Sequence, residues 1–99
     1  MSSITLTQQD GEAHIVINGS FVFELNRAFR DAYRAVPTGT PVTIDLSAAD
    51  YIDSAGLGML IRLREHVGGD VNKLTLTGAN PTVKKILEVA NFGLLFTIT

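Results

Sequence analysis

The segment Asp53-Ser54-Ala55-Gly56-Leu57-Gly58 holds the side chain best placed in this sequence to undergo chemistry. A strand-like run, Val42-Thr-Ile-Asp-Leu46, leads through a short polar link into it, and an apolar helix follows at once. Ser54 is thereby set at or beside a helix N-terminus, where unpaired N–H groups and the positive end of the dipole point outward. Such a place tolerates added negative charge, so the hydroxyl is a candidate phosphoacceptor. Asp53 or Ser54 also suits an ordinary helix cap, worth about 1 kcal/mol. The two roles are compatible, because a hydroxyl exposed enough to cap is within a kinase's reach. Gly56 and Gly58 each cost a helix about 1 kcal/mol relative to alanine. Close approach of a partner's backbone beside the hydroxyl would give them a reason.

Catalysis by Ser54 has little residue support. A hydrolase elbow reads G-x-S-x-G, whereas here Asp53 precedes the serine and the glycine follows two residues later. A general base would have to be His14, in a strand, or His66, in the last turn of a helix, and nothing ties either to Ser54. Two separated histidines and no cysteine leave no metal-ligand cluster, and no cofactor motif is present. Asp45 and Asp53 at strand ends suggest an aspartyl phosphoacceptor, but the acidic pair and the lysine such a site needs are missing. The phosphate-cradling G-x-x-x-x-G-K-[ST] is absent as well. The chain is therefore read as a binding module and not an enzyme.

The helix after Ser54 carries Leu57, Leu60, Ile61 and Val67 on one face, expected in the core. Met59 and Leu63, at i and i+4, fall partly on another face beside Arg62. Two accounts stay open for these: a wide apolar stripe, or a partner surface in which an exposed methionine gives adaptable contacts. The candidate partner-binding set is Asp53, Ser54, Ala55, Gly56, Leu57, Gly58, Met59 and Arg62.

The surrounding elements read in order. Ile4 to Thr7 and His14 to Asn18 are strands joined across Gln8-Gln-Asp-Gly11, a hairpin signal. Leu25, Ala28, Phe29, Ala32 and Val36 recur at helical spacing, and Pro37-Thr-Gly-Thr-Pro41 ends that helix. Val42 to Leu46 is the third strand, and the second helix runs from about Ala55 to Val67, closed by Gly68-Gly69. Lys73 to Thr77 is a fourth strand. Asn80-Pro81 caps and opens a third helix through Val83, Ile86, Leu87 and Ala90, and Leu95 to Thr99 is a last strand. Strand–helix alternation from Val42 onward implies parallel pairing. Apolar positions (Ile4, Leu6; Val42, Ile44, Leu46; Leu74, Leu76; Phe96, Ile98) alternate with threonines and Asp45, so one sheet face is apolar and the other wet. The expected fold is α/β, a mixed, mostly parallel sheet with helices packed on one face.

The 99 residues fit one domain. With 45% hydrophobic and 18% charged residues, the chain is neither disordered nor membrane-inserted. Its first residues lack the pattern of a secretory signal, and zero cysteines suit a reducing compartment, so a cytoplasmic location is expected. A net charge of −2 with interspersed signs offers no stripe for nucleic acid, which leaves another protein or a small ligand as partner.

Two stretches, VTIDLSAADYIDSAGLGMLIRLREHV and KLTLTGANPTVKKILEVANFGLLFTI, together resemble the STAS domains of bacterial anti-sigma factor antagonists, in particular the small free-standing proteobacterial type. The resemblance covers nearly the whole chain and implies a SpoIIAA-like strand–helix fold. It further implies that Ser54, directly after the motif aspartate, is phosphorylated by a partner serine kinase that doubles as the anti-sigma factor, and is dephosphorylated by a serine phosphatase. Three departures stand out. Ala55 replaces a second motif serine, Val22 stands where many relatives carry an acid, and the chain stops at Thr99 where longer relatives continue into a helix. The last leads to an expectation of self-association. The alternative reading is a STAS subunit that never cycles through phosphate. It would support a larger complex such as a lipid-transport ATPase, or bind a small ligand on its open face.

Overall fold

The computed structural model describes residues 2–99. Asp10 and Gly11, at φ 54° and 77°, form the two-residue turn that joins β1 (Ser3–Gln9) to β2 (Glu12–Phe21) in an antiparallel hairpin. β2 is long enough to serve two further neighbours. Its first half pairs in parallel with β3 (Val42–Asp45), from Ala13↔Val42 to Val16↔Asp45. Its second half pairs in parallel with β4 (Ala49–Ile52), ending at Phe21↔Ile52. β5 (Leu74–Thr77) lies beside β3, and β6 (Thr97–Ile98) beside β5, both parallel. The sheet order is β1-β2-β3-β5-β6, with β4 attached to β2. This is the mixed, mostly parallel sheet expected from the alternation.

Three helices, α1 (Asn26–Arg34), α2 (Ser54–Val67) and α3 (Pro81–Val89), cover the apolar face. Ala13, Ile15, Ile17, Val42, Ile44, Leu74 and Leu76 are buried beneath them. The register lays Thr7, His14, Thr43, Thr75 and Thr97 in one row across the other face, with Thr5, Val16, Asp45 and Thr77 in the next. A shortest extent of 19 Å is the thickness of one helical layer on one sheet.

The short polar link expected before Asp53 is in fact β4. It was not legible because Ala49 and Ile52 are buried while Asp50 and Tyr51 between them are exposed, a bulged pattern without alternation. The final strand is shorter than expected, because a 3₁₀ turn at Phe92–Leu94 takes up the preceding residues.

Helix α2 corrects the face assignment. Its buried stripe is Gly56, Met59, Leu60, Leu63 and Val67, whereas Ile61 is 38% exposed and Leu57 half-buried. Met59 and Leu63 are thus core residues: Met59 is only 4% exposed. Gly68 closes the helix at φ 112°, its N–H donating to the Arg64 carbonyl. At α3, Asn80 Oδ1 accepts from the Val83 N–H at 2.8 Å, with Pro81 in the first turn. No helix among the described residues is long and apolar enough to cross a membrane.

Candidate functional site

The end of β2 and the end of β4 lie side by side, and the chain leaves both towards the helical layer. The Asp53 N–H donates to the Phe21 carbonyl at 3.4 Å, which prolongs the strand pairing into the link before α2. Asp53 is extended (φ −106°, ψ −176°), and its Oδ1 accepts from the Gly56 N–H at 2.9 Å. Asp53 is therefore the N-cap. Ser54 is the first helical residue and is exposed, its hydroxyl outside the capping bond. Of the two roles left open in the sequence, the cap falls to Asp53, and the Ser54 hydroxyl stays outside it.

The two glycines serve different ends. A Cβ on Gly56 would strike the Phe21 carbonyl oxygen and come within 2.7 Å of Ile52 Cγ1. The close approach expected of Gly56 is thus intramolecular, to the end of β2. A Cβ on Gly58 meets nothing within 4 Å. Gly58 faces open space although it lies well inside the helix, so internal packing does not account for it.

Ala55, Gly58, Met59 and Arg62, at i, i+3, i+4 and i+7, lie on one face of α2. With Phe23 and Asn26 they line a groove of about 160 Å³ between α2 and the start of α1. Met59 contributes a wall of this groove while its side chain is sunk in the core, so of the two accounts left open for it the wide apolar stripe is the one observed. Leu57 packs against the core and does not line the groove.

Phe23 is the residue the sequence reading missed. It is 68% exposed in a 3₁₀ turn, Phe23–Leu25, that starts two residues after β2. Val89 and Leu94 are as exposed, but Phe23 alone among these three lines the groove. Its sequence neighbourhood carries no period that would mark it. Val22 is the N-cap position of that turn and makes no side-chain cap bond. The Leu25 N–H donates instead to the Val22 carbonyl at 2.9 Å. Tyr51, 47% exposed on β4, stands three residues before Ser54.

The other titratable groups are occupied elsewhere. His66 is near the far end of α2; its Nε2–H donates to the Val36 carbonyl at 2.9 Å, and its ring lies tilted by 50° against Tyr33 at 5.3 Å between centroids. His14 is exposed on the open sheet face. Asp45 Oδ1 accepts from both the hydroxyl (2.7 Å) and the N–H (2.9 Å) of Ser47. The Ser47 hydroxyl, then its N–H, hold the Asp45 carboxyl below the usual carboxylate range. No cluster of three or more His, Cys, Asp or Glu side chains among the described residues could hold a metal ion.

Comparison with known proteins places these features in a family context. A family model described as "Mlab, STAS domain" matches residues 4–97. A STAS-domain containing protein of Pseudomonas aeruginosa (strain UCBPP-PA14) is 43% identical over 101 residues, covering 100% of both chains. An anti-sigma factor antagonist from Mycobacterium paratuberculosis superposes with a TM-score of 0.83 at 21% identity, covering 99% of this chain and 85% of that one. The anti-sigma factor antagonist SpoIIAA in its unphosphorylated form gives 0.76 at 18% identity, covering 98% and 88%. Its phosphorylated form, described as a Bacillus cell fate determinant, gives 0.58 at 18% identity, covering 98% and 91%. These likenesses establish the SpoIIAA-like fold.

Proposed function

The chain belongs to the STAS domain family, and from that premise we propose that it is an anti-sigma factor antagonist switched by phosphorylation of Ser54. In this reading it sequesters an anti-sigma factor that is also a serine kinase while Ser54 is unmodified, and a serine phosphatase restores that state. The module binds and is acted upon; it catalyses nothing itself and works in the cytoplasm. One observation carries the reading: Ser54 is exposed at the first position of α2, outside the Asp53 cap, on the helix that builds the groove.

Phosphate on Ser54 adds about −1.5 to −2 charges. The helix N-terminus offsets part of this, by about 0.3–1 kcal/mol, while the Asp53 carboxylate next to it repels. The fold therefore survives the modification, since the cap bond from Gly56 goes to Asp53 and not to Ser54. The interface is what suffers: a dianion must lose water against a surface shaped for a hydroxyl. A difference of about 3 kcal/mol in binding corresponds to roughly a hundredfold in affinity.

Ser54→Ala is expected to bind the partner constitutively and Ser54→Asp poorly, with unchanged circular dichroism and melting. Equal affinity of both variants and wild type, measured by calorimetry, would refute the switch. A second reading draws on the groove, whose walls are Phe23, Asn26, Ala55, Gly58, Met59 and Arg62 and do not include the Ser54 hydroxyl. The same surface would then dock permanently onto a larger complex such as a lipid-transport ATPase. Mass spectrometry of protein recovered from cells separates the two, because phosphate on Ser54 belongs to the switch alone.

A further inference from the structure

The two edges of the sheet are built differently. β6 is two residues long, and the hydroxyl of its first residue, Thr97, donates to the Val71 carbonyl. β1 is seven residues long, Ser-Ile-Thr-Leu-Thr-Gln-Gln, with no charge and no proline, and its register with β2 runs unbroken from Ser3↔Asn18 to Gln9↔Glu12. Short strands, charges, prolines and bulges are the devices that keep a sheet edge from pairing with another chain. β1 has none of them.

The hairpin fixes which backbone groups face outward. A two-residue turn makes Gln9 and Glu12 a hydrogen-bonded pair, so Thr7, Thr5 and Ser3 also exchange their bonds with β2. The opposite parity on β2 points away from β1, as the Ala13 N–H donating to the Pro41 carbonyl confirms. The N–H and C=O groups of Ile4, Leu6 and Gln8 therefore point to the outside of the sheet. Among the described residues no backbone group meets them.

We propose that β1 pairs antiparallel with β1 of a second copy, joining the two sheets across a two-fold axis at Leu6. Centring on Leu6 sets Ile4 opposite Gln8 of the other copy and uses all three outward residues; a shift of two residues either way loses one of the three pairings. Side chains agree with the backbone. Thr5 and Thr7, both exposed, meet Thr7 and Thr5 of the other copy on the open face, a favourable cross-strand pair. The half-buried Leu6, which already rests on the core, meets Leu6 of the other copy, while Ile4 lies against the aliphatic stem of Gln8. The surface is isologous, which closes the assembly at two copies. It shares no residue with the groove lined by Phe23 and α2, so it stands independently of the Ser54 reading.

Sedimentation of the wild-type protein from about 1 µM to about 1 mM, with amide exchange at both ends of the range, tests this. A dimer is expected, with the Ile4, Leu6 and Gln8 amides slowing as concentration rises. T5K/T7K and T5E/T7E each set like charges opposite one another and are expected to stay monomeric with unchanged melting; mixing them should restore a heterodimer. Wild type that is monomeric throughout would overturn the proposal. So would a dimer that persists in T5K/T7K, or a mixture that fails to recombine.

Discussion

Replacing each α2 glycine with alanine should move stability in opposite directions. Alanine is about 0.8–1.0 kcal/mol better than glycine inside a helix. Gly58 is five residues beyond the Asp53 cap, and a Cβ there meets nothing within 4 Å, so Gly58→Ala keeps that whole gain. For a domain of this size about 1 kcal/mol raises Tm by roughly 4–8 °C. Gly56→Ala has the same propensity gain, but its methyl falls on the Phe21 carbonyl and within 2.7 Å of Ile52 Cγ1. The obstacle is backbone, which cannot rotate aside. Overpacking of this kind costs about 1–3 kcal/mol, so the net effect is a loss, and Tm falls. Urea and thermal melts of the two variants against wild type are sufficient, and no partner is needed. A stabilised Gly56→Ala, or a destabilised Gly58→Ala, would refute this division of labour. The Gly58 methyl projects into the groove beside Phe23, so the stabler protein should bind its partner about tenfold or more weakly. Unchanged affinity would remove the groove from the docking surface.

Other expectations follow from single contacts. Phe23→Ala, at a side chain 68% exposed, should leave Tm within about 2 °C of wild type yet reduce partner affinity, as read by calorimetry. Asp53→Ala removes the cap of α2 and should cost about 0.5–2 kcal/mol in urea unfolding, with Asp53→Asn retaining most of it. Asp45 titrates below the ordinary carboxylate range because Ser47 bonds its charged form. A depressed folded pKa gives stability that is present above the unfolded pKa and lost as pH falls through the folded one. Ser47→Ala should therefore raise the Asp45 pKa in a carbon-detected NMR titration and flatten the acid limb of stability, leaving stability unchanged in slope near neutrality.

Much of this architecture is written locally. The Asp10-Gly11 turn, the Asn80-Pro81 cap and the threonine alternation each depend on near neighbours in sequence, and each predicts its element. What was illegible depends on partners far along the chain. The buried stripe of α2 includes Gly56, which contributes no hydropathy, and this displaced the apparent face towards Leu57 and Ile61. β4 has its hydrogen-bond partners on β2, some 30 residues earlier, and a bulge at Asp50 hides its period. Phe23 joins the groove only because β2 ends against the first turn of α2. Ser54 was visible as a helix-terminal hydroxyl, whereas the wall that flanks it was not.

The position of β2, bonded to β1, β3 and β4 together, joins one pairing that is local in sequence to two that are distant. The β1–β2 hairpin is local and closes within microseconds. The parallel pairings join residues about thirty apart, and non-local parallel pairing of this kind is the slower step. The first turn of α2 is seated by the Phe21 carbonyl, which takes up the Asp53 N–H and lies under Gly56. That seat exists only after Phe21 and Asp53, 32 residues apart, have met. A nascent or unfolded chain presents Ser54 in sequence but not in shape. An enzyme that recognises the seated turn would therefore leave incomplete chains unmarked and act only on molecules that have finished folding.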